Sequence, residues 1–87
     1  KNTLFESDAI LLGLNCLEPG QLQKSHRHEG QDKFYYVVEG VGSFQLGKEE
    51  IQGQAGDVIW APSGLEHGVY NRGAARLTLL VGIAPAP

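Results

Sequence analysis

An all-β fold, a small antiparallel barrel of the jelly-roll or double-stranded β-helix kind, is what this 87-residue sequence predicts. Three observations point there. Short runs rich in Val, Ile, Leu and aromatics recur along the chain, divided by glycines, of which there are 12. That is the pattern of short strands separated by turns. No stretch carries the 3.6-residue apolar period of an amphipathic helix over three turns. Finally, roughly eight short strands in so small a chain must close into a barrel or jelly-roll to hide their edges.

The elements follow in order. Ala9 to Leu17 is a first apolar run, ended by Glu18-Pro19-Gly20, where Pro and Gly suit a tight turn. Gln23 to His28 is a second strand, leading into the polar loop Glu29-Gly30-Gln31-Asp32. Lys33 to Glu39 carries the strongest strand signal, stopped by Gly40. Val41 to Leu46 and Glu49 to Gln52 read as a hairpin around Gly47-Lys48, with glycine first in the turn. Gly53 to Gly56 is a turn, and Asp57 to Ala61 a strand running into Pro62-Ser63-Gly64. His67 to Tyr70 and Arg76 to Ile83 are the last strands, separated by Asn71-Arg72-Gly73. Ala84-Pro85-Ala86-Pro87 is expected to fray. The whole of 1–87 reads as one domain, small enough that self-association is expected.

Composition narrows the function. A net charge of −3, with no basic run and no interleaving of aromatic and basic residues, argues against nucleic acid as a partner. No apolar stretch approaches the ~20 residues of a membrane span, and a cytoplasmic protein is the default expectation. The chain has no Met, so Lys1 reads as the start of a processed or truncated product. Cys16 is the only cysteine; between Leu14 and Leu17 it is expected to be a buried thiol rather than a nucleophile. No Ser-His-Asp arrangement, phosphate loop or paired-carboxylate site is present.

The three histidines carry the chemistry. His26 and His28 are two apart, and in a strand residues two apart share a face. His67 comes from a distant strand. A lone histidine on a strand is usually structural. Three imidazoles converging on one point, however, form a metal site with an open position, which is the arrangement of a reactive metal.

The spacing around these residues resembles the cupins, specifically the small single-domain type. The family's first motif, Gly, five residues, His-x-His, three or four residues, Glu, six residues, Gly, is matched from Gly20 through His26 and His28 to Gly40, with Lys33 in the Glu position. The second, Gly, five residues, Pro-x-Gly, two residues, His, three residues, Asn, is complete in Gly56, Pro62, Gly64, His67 and Asn71. The motifs thus span 20–40 and 56–71, over half the chain. Cupins imply a barrel holding a divalent transition metal (Fe, Mn, Ni, Cu or Zn) and acting on small molecules, and they commonly pair through their sheets. On that resemblance a homodimer is expected, with Phe34, Tyr36 and Trp60 as contact residues.

Lys33 is the departure. An ammonium offers a cation no lone pair and repels it. Three consequences stand open: a three-histidine site with Lys33 aside or binding an anion; Asp32 bending inward to replace the Glu; or no metal, and an anionic ligand held directly. Alternation with Tyr35 and Val37 places Lys33 inward if those two are core. There Lys33 and Tyr35 are candidate catalytic residues, Lys33 as a base or carboxylate anchor. Asn71 is expected to secure the Gly73 turn, and Phe44 and Trp60 to be core or contact aromatics. The reading is a metal-dependent enzyme, dioxygenase- or isomerase-like, acting on an anionic substrate. The alternative is a non-catalytic anion-binding or sensor module.

Overall fold

The structure is a computed structural model that describes residues 2–87. Lys1, and the reading attached to it, lies outside the described residues. Nine strands and no helix are present among the described residues: β1 (Asn2–Glu6), β2 (Leu11–Leu17), β3 (Leu22–His26), β4 (Asp32–Glu39), β5 (Val41–Leu46), β6 (Glu49–Gln54), β7 (Val58–Ala61), β8 (His67–Tyr70) and β9 (Leu77–Ala84). They form two antiparallel sheets, one ordered β1-β2-β9-β4-β7 and the other β3-β8-β5-β6. None of these elements is a helix that could cross a membrane.

The core lies between the sheets and follows from alternation. Tyr35 and Val37 of β4, Leu77, Leu79 and Val81 of β9, and Ile59 of β7 face inward from the five-stranded sheet. Phe44 of β5 and Val69 of β8 meet them from the other sheet, and the Tyr35 and Phe44 rings stand 5.2 Å apart. Each such side chain contributes about 1.5–3 kcal/mol by leaving water. Gly40 and Gly56, which close β4 and precede β7, have φ of +88° and +95°, a region that favours glycine.

Three differences from the sequence reading have physical causes. β1 was not read as a strand because all five of its residues are exposed and no apolar alternation marks it; it exists by pairing with β2. Cys16 is exposed, not buried, because β2 turns Asn15 and Leu17 inward and so turns Cys16 out. β9 runs to Ala84, one residue past the strand end expected at Ile83, because Ala84 pairs with Asp32; the Gln31 side-chain amide also donates to the Pro85 carbonyl. Of the two aromatics, Phe44 is fully buried whereas Trp60 is 54% exposed.

Asn71 ties the fold together where β2, β3 and β8 meet. Its fully buried amide donates to the carbonyls of Leu17 (2.8 Å) and Ala75 (2.9 Å), and its Oδ1 accepts from the Gly73 N–H at 3.0 Å. Its backbone N–H donates to the Gln21 carbonyl, and its own carbonyl accepts from Gly20. This is the turn-securing role expected from sequence. Asn71→Ala would strand two carbonyls and one N–H, each worth about 1–3 kcal/mol when buried unmade. Urea denaturation should therefore show a loss of at least about 2 kcal/mol, with metal content unchanged; a loss of metal at unchanged stability would make Asn71 a site residue instead.

Candidate metal centre

The ladder between β3 and β8 sets His26 and His67 directly opposite each other. A bulge between Gln23 and His26 shifts the register just before that pair, which re-aims the end of β3. β3 stops at His26, so His28 lies in the following loop rather than in the strand expected from sequence. It is fixed there by the Pro62-Ser63-Gly64 turn. The Gly64 N–H donates to the His28 carbonyl at 2.8 Å, and the Gly30 N–H to the Ser63 hydroxyl at 2.7 Å. Gly64 makes this approach with φ of +81°. The two motifs thus hold each other.

The three rings come together at one end of the barrel. Centroids of His26 and His67 are 4.5 Å apart, of His26 and His28 4.6 Å, and of His28 and His67 5.5 Å. One nitrogen from each lies within 4.8 Å of the others. A single ion with metal–nitrogen bonds of about 2.1 Å bridges such a group after small side-chain adjustment.

Two of the imidazoles are oriented by one device. His26 Nδ1 lies 3.0 Å from the Lys24 carbonyl, and His67 Nδ1 lies 3.0 Å from the Leu65 carbonyl, each two residues back. A carbonyl oxygen only accepts, so Nδ1 is the donor and Nε2 carries the lone pair. Such carbonyl partners fix the ligand tautomer in metal sites. Nε2 of His67 is buried and meets no hydrogen-bond partner among the described residues. Burial pushes the His67 pKa down to about 4; the Leu65 hydrogen bond opposes this, and the charges of Lys33, His26 and His28 add to it. His67 is therefore neutral near pH 7, with no proton for a metal to displace. The donor set fits a divalent transition metal.

Lys33 points inward, as the β4 alternation implied. It is 3% exposed, sits opposite Ala61 and Ile83 in the ladders, and places Nζ 5.0 Å from the centroid of the Tyr35 ring. Its charge reaches His67. The Tyr35 ring stands 6.3 Å from that of His67, and its buried hydroxyl meets no hydrogen-bond partner among the described residues. Burial raises the phenol pKa well above its ordinary value, so the hydroxyl stays protonated. Asp32 does not replace the missing Glu, because its carboxylate accepts the Ser63 N–H at 2.9 Å and caps the turn that holds His28. The carbonyls of Lys24 and Leu65 were missed from sequence; backbone acceptors leave no residue-type signal.

The family profile described as Cupin domain matches residues 13–83. The oxalate-binding protein of Thermotoga maritima is 36% identical over 79 residues, which is 91% of this chain and 65% of that protein. A solved structure from Thermus thermophilus is 44% identical with a TM-score of 0.95, covering 99% of this chain and 82% of that one. A solved structure described as a predicted oxalate decarboxylase from Thermotoga maritima is 33% identical with a TM-score of 0.86, covering 91% of this chain and 69% of that one.

Lys33→Glu should tighten binding of Zn²⁺ or Mn²⁺ by about tenfold or more, since a like charge becomes a carboxylate ligand. Competition against a chromogenic chelator measures this. Unchanged affinity would separate Lys33 from the three-histidine group.

Proposed function

Because the chain belongs to the cupin family, we propose that His26, His28 and His67 hold a divalent transition metal and that Lys33 binds a small carboxylate anion beside it. The observation that carries this reading is a buried lysine whose charge reaches His67, one of three converging imidazoles. A cation bound there would supply Lewis-acid charge to the oxygens of the anion. Lys33 adds a second, fixed positive charge in a dry setting, where a charge-assisted hydrogen bond to carboxylate is strong. Burial of Lys33, 3% exposed, keeps most water from it. The name of the oxalate-binding relative fits a small dicarboxylate as the ligand class.

Turnover is the second reading, and the buried, unpartnered Tyr35 hydroxyl favours it. A protonated phenol whose ring centroid lies 5.0 Å from Lys33 Nζ would be a donor to an anion held between them, and the two together could hold and pass a proton. Tyr35→Phe keeps the ring packed against Phe44 and removes only the donor. Oxygen consumption over a panel of small carboxylates, or isomerisation followed by NMR, should fall about tenfold or more in that variant, at the low end of the usual general-acid contribution. No turnover by wild type in either assay would leave the binding reading alone.

The binding reading has its own test. Elemental analysis by inductively coupled plasma mass spectrometry should find about one transition metal per chain, lost in His26→Ala and in His67→Ala because two imidazoles rarely suffice. Calorimetry of the metal-loaded protein should then show oxalate binding. In Lys33→Met, with metal retained, that binding should weaken about tenfold or more, the usual size of a charge-assisted hydrogen bond. Metal retained in both histidine variants, or oxalate affinity unchanged in Lys33→Met, would overturn the assignment.

A further inference from the structure

The outer face of the four-stranded sheet carries a groove of about 210 Å³. It lies on the far side of β3 and β8 from the three imidazoles. His67 and Val69 are buried on the inner face, so Gly68 and Tyr70 alternate to the outer one. One wall of the groove is the bulge of β3. A Cβ at Gly68 would lie 3.0 Å from the Ser25 N and Cα and from the Gln23 carbonyl oxygen, so glycine lets the bulged strand close against β8. The other side is built by Gln45 of β5, paired with Gly68, and by Glu50 of β6, paired with Gln45.

One end of the groove is formed by Ser43, Tyr70 and Arg72. Ser43 lies between Gln52 and Tyr70 in the ladders and next to the inward Phe44, so strand alternation faces it outward. Even so it is only 5% exposed, a polar side chain sunk into the groove rather than bathed in water. Arg72 reaches back over this end. Its guanidinium stacks 4.4 Å over the Tyr70 ring, and Nη2 lies 3.4 Å from Glu50 Oε1. An exposed ion pair adds little to stability. What it adds here is order, because the ring and the carboxylate together hold a guanidinium that has further N–H donors to offer.

The lining selects the ligand. Charges of both signs border the groove, Lys24 and Arg72 together with Glu50. A carboxylate would meet Glu50, and an ammonium would meet Arg72. A hydroxyl both donates and accepts, so a set of hydroxyls can pair with Arg72, Glu50, Gln45 and Ser43 alike. Ser43 and Gln45 on β5 stand about 4.8 Å from the neighbouring strands that carry Tyr70 and Glu50, a spacing that suits the hydroxyls of a six-membered sugar ring. Leu22, 58% exposed, supplies apolar surface for the C–H edge of such a ring. The volume is that of about seven waters at about 30 Å³ each, below the ~300 Å³ of pockets for larger ligands. We propose that this groove binds an uncharged polyhydroxyl ligand the size of one sugar ring, clamped by Arg72 and Glu50. It shares no residue with the three-histidine group, so it stands independently of the metal reading.

Heteronuclear NMR titration of the isotope-labelled protein with D-glucose, D-galactose and D-xylose tests this. At least one sugar should shift the Ser43, Gln45 and Gly68 amides and the Arg72 Nε–H saturably, with a dissociation constant of about 10 mM or tighter. The uronate of that sugar should bind about tenfold more weakly, because its carboxylate meets Glu50. Arg72→Met and Glu50→Gln alter side chains that are 54% and 52% exposed, so both should keep the wild-type spectrum and thermal midpoint. Each should weaken sugar binding about tenfold, the size of a lost hydrogen bond to a charged group. Lys48→Met, in the hairpin turn outside the groove, should leave it unchanged. No saturable shift with any of the three sugars would overturn the proposal. So would shifts confined to the histidine end of the barrel, or affinity unchanged in both folded variants. A uronate that binds as tightly as its neutral sugar would assign the groove to an anion and overturn it as well.

Discussion

The pairing of β3 with β8 is the constraint on which the rest of the site depends. It places His26 across from His67, one on each side of a single ladder, so that two imidazoles are positioned by backbone hydrogen bonds rather than by side-chain packing. A one-residue slip would turn one of them to the solvent face. The bulge after Gln23 absorbs the mismatch between the strand's outer half and this pair. The third imidazole needs no strand, because His28 is tied to the Pro62–Gly64 turn that also delivers His67. Asn71 closes the same region from behind, joining the ends of β2 and β8 through its amide.

Preorganisation is built from main-chain acceptors. In both oriented histidines the carbonyl two residues earlier takes the Nδ1 proton, leaving Nε2 for the centre. Since those carbonyls belong to the same extended segments as the rings, orientation and position are set together. The cost is a buried nitrogen at His67 without a protein partner, tolerable in an imidazole that burial keeps neutral. A fixed tautomer with an unmet lone pair is the state in which an imidazole can take a metal ion.

Much of this was readable in the sequence because motif spacing and period-two alternation act over short range. The hairpin at Gly47-Lys48, the inward set Lys33, Tyr35 and Val37, and the gathering of His26, His28 and His67 all follow from residues near one another or from the two matched motifs. What was not readable depends on partners far along the chain. β1 has no pattern of its own and exists through β2. Cys16 sits among leucines yet faces out, since its neighbours Asn15 and Leu17 take the inward positions. Asp32 was a candidate ligand until the Ser63 N–H, 31 positions away, claimed its carboxylate.

Lys33 gives this centre a charge balance unlike that of a centre with glutamate in the same place. An imidazole that ligates a cation does so without bringing charge, so a divalent cation held there would keep both of its positive charges, and a Lys33 ammonium would add a third nearby. With glutamate, the protein itself would cancel part of the cation's charge. With lysine, the cancellation must come from outside, and within a low-dielectric barrel like charges left unmatched repel strongly. A monoanion relieves less than half of that excess; a dianion whose two carboxylates are close together can face the cation and the ammonium at once. On the proposed reading, lysine in the place of a ligating glutamate therefore calls for an anionic partner beside the cation.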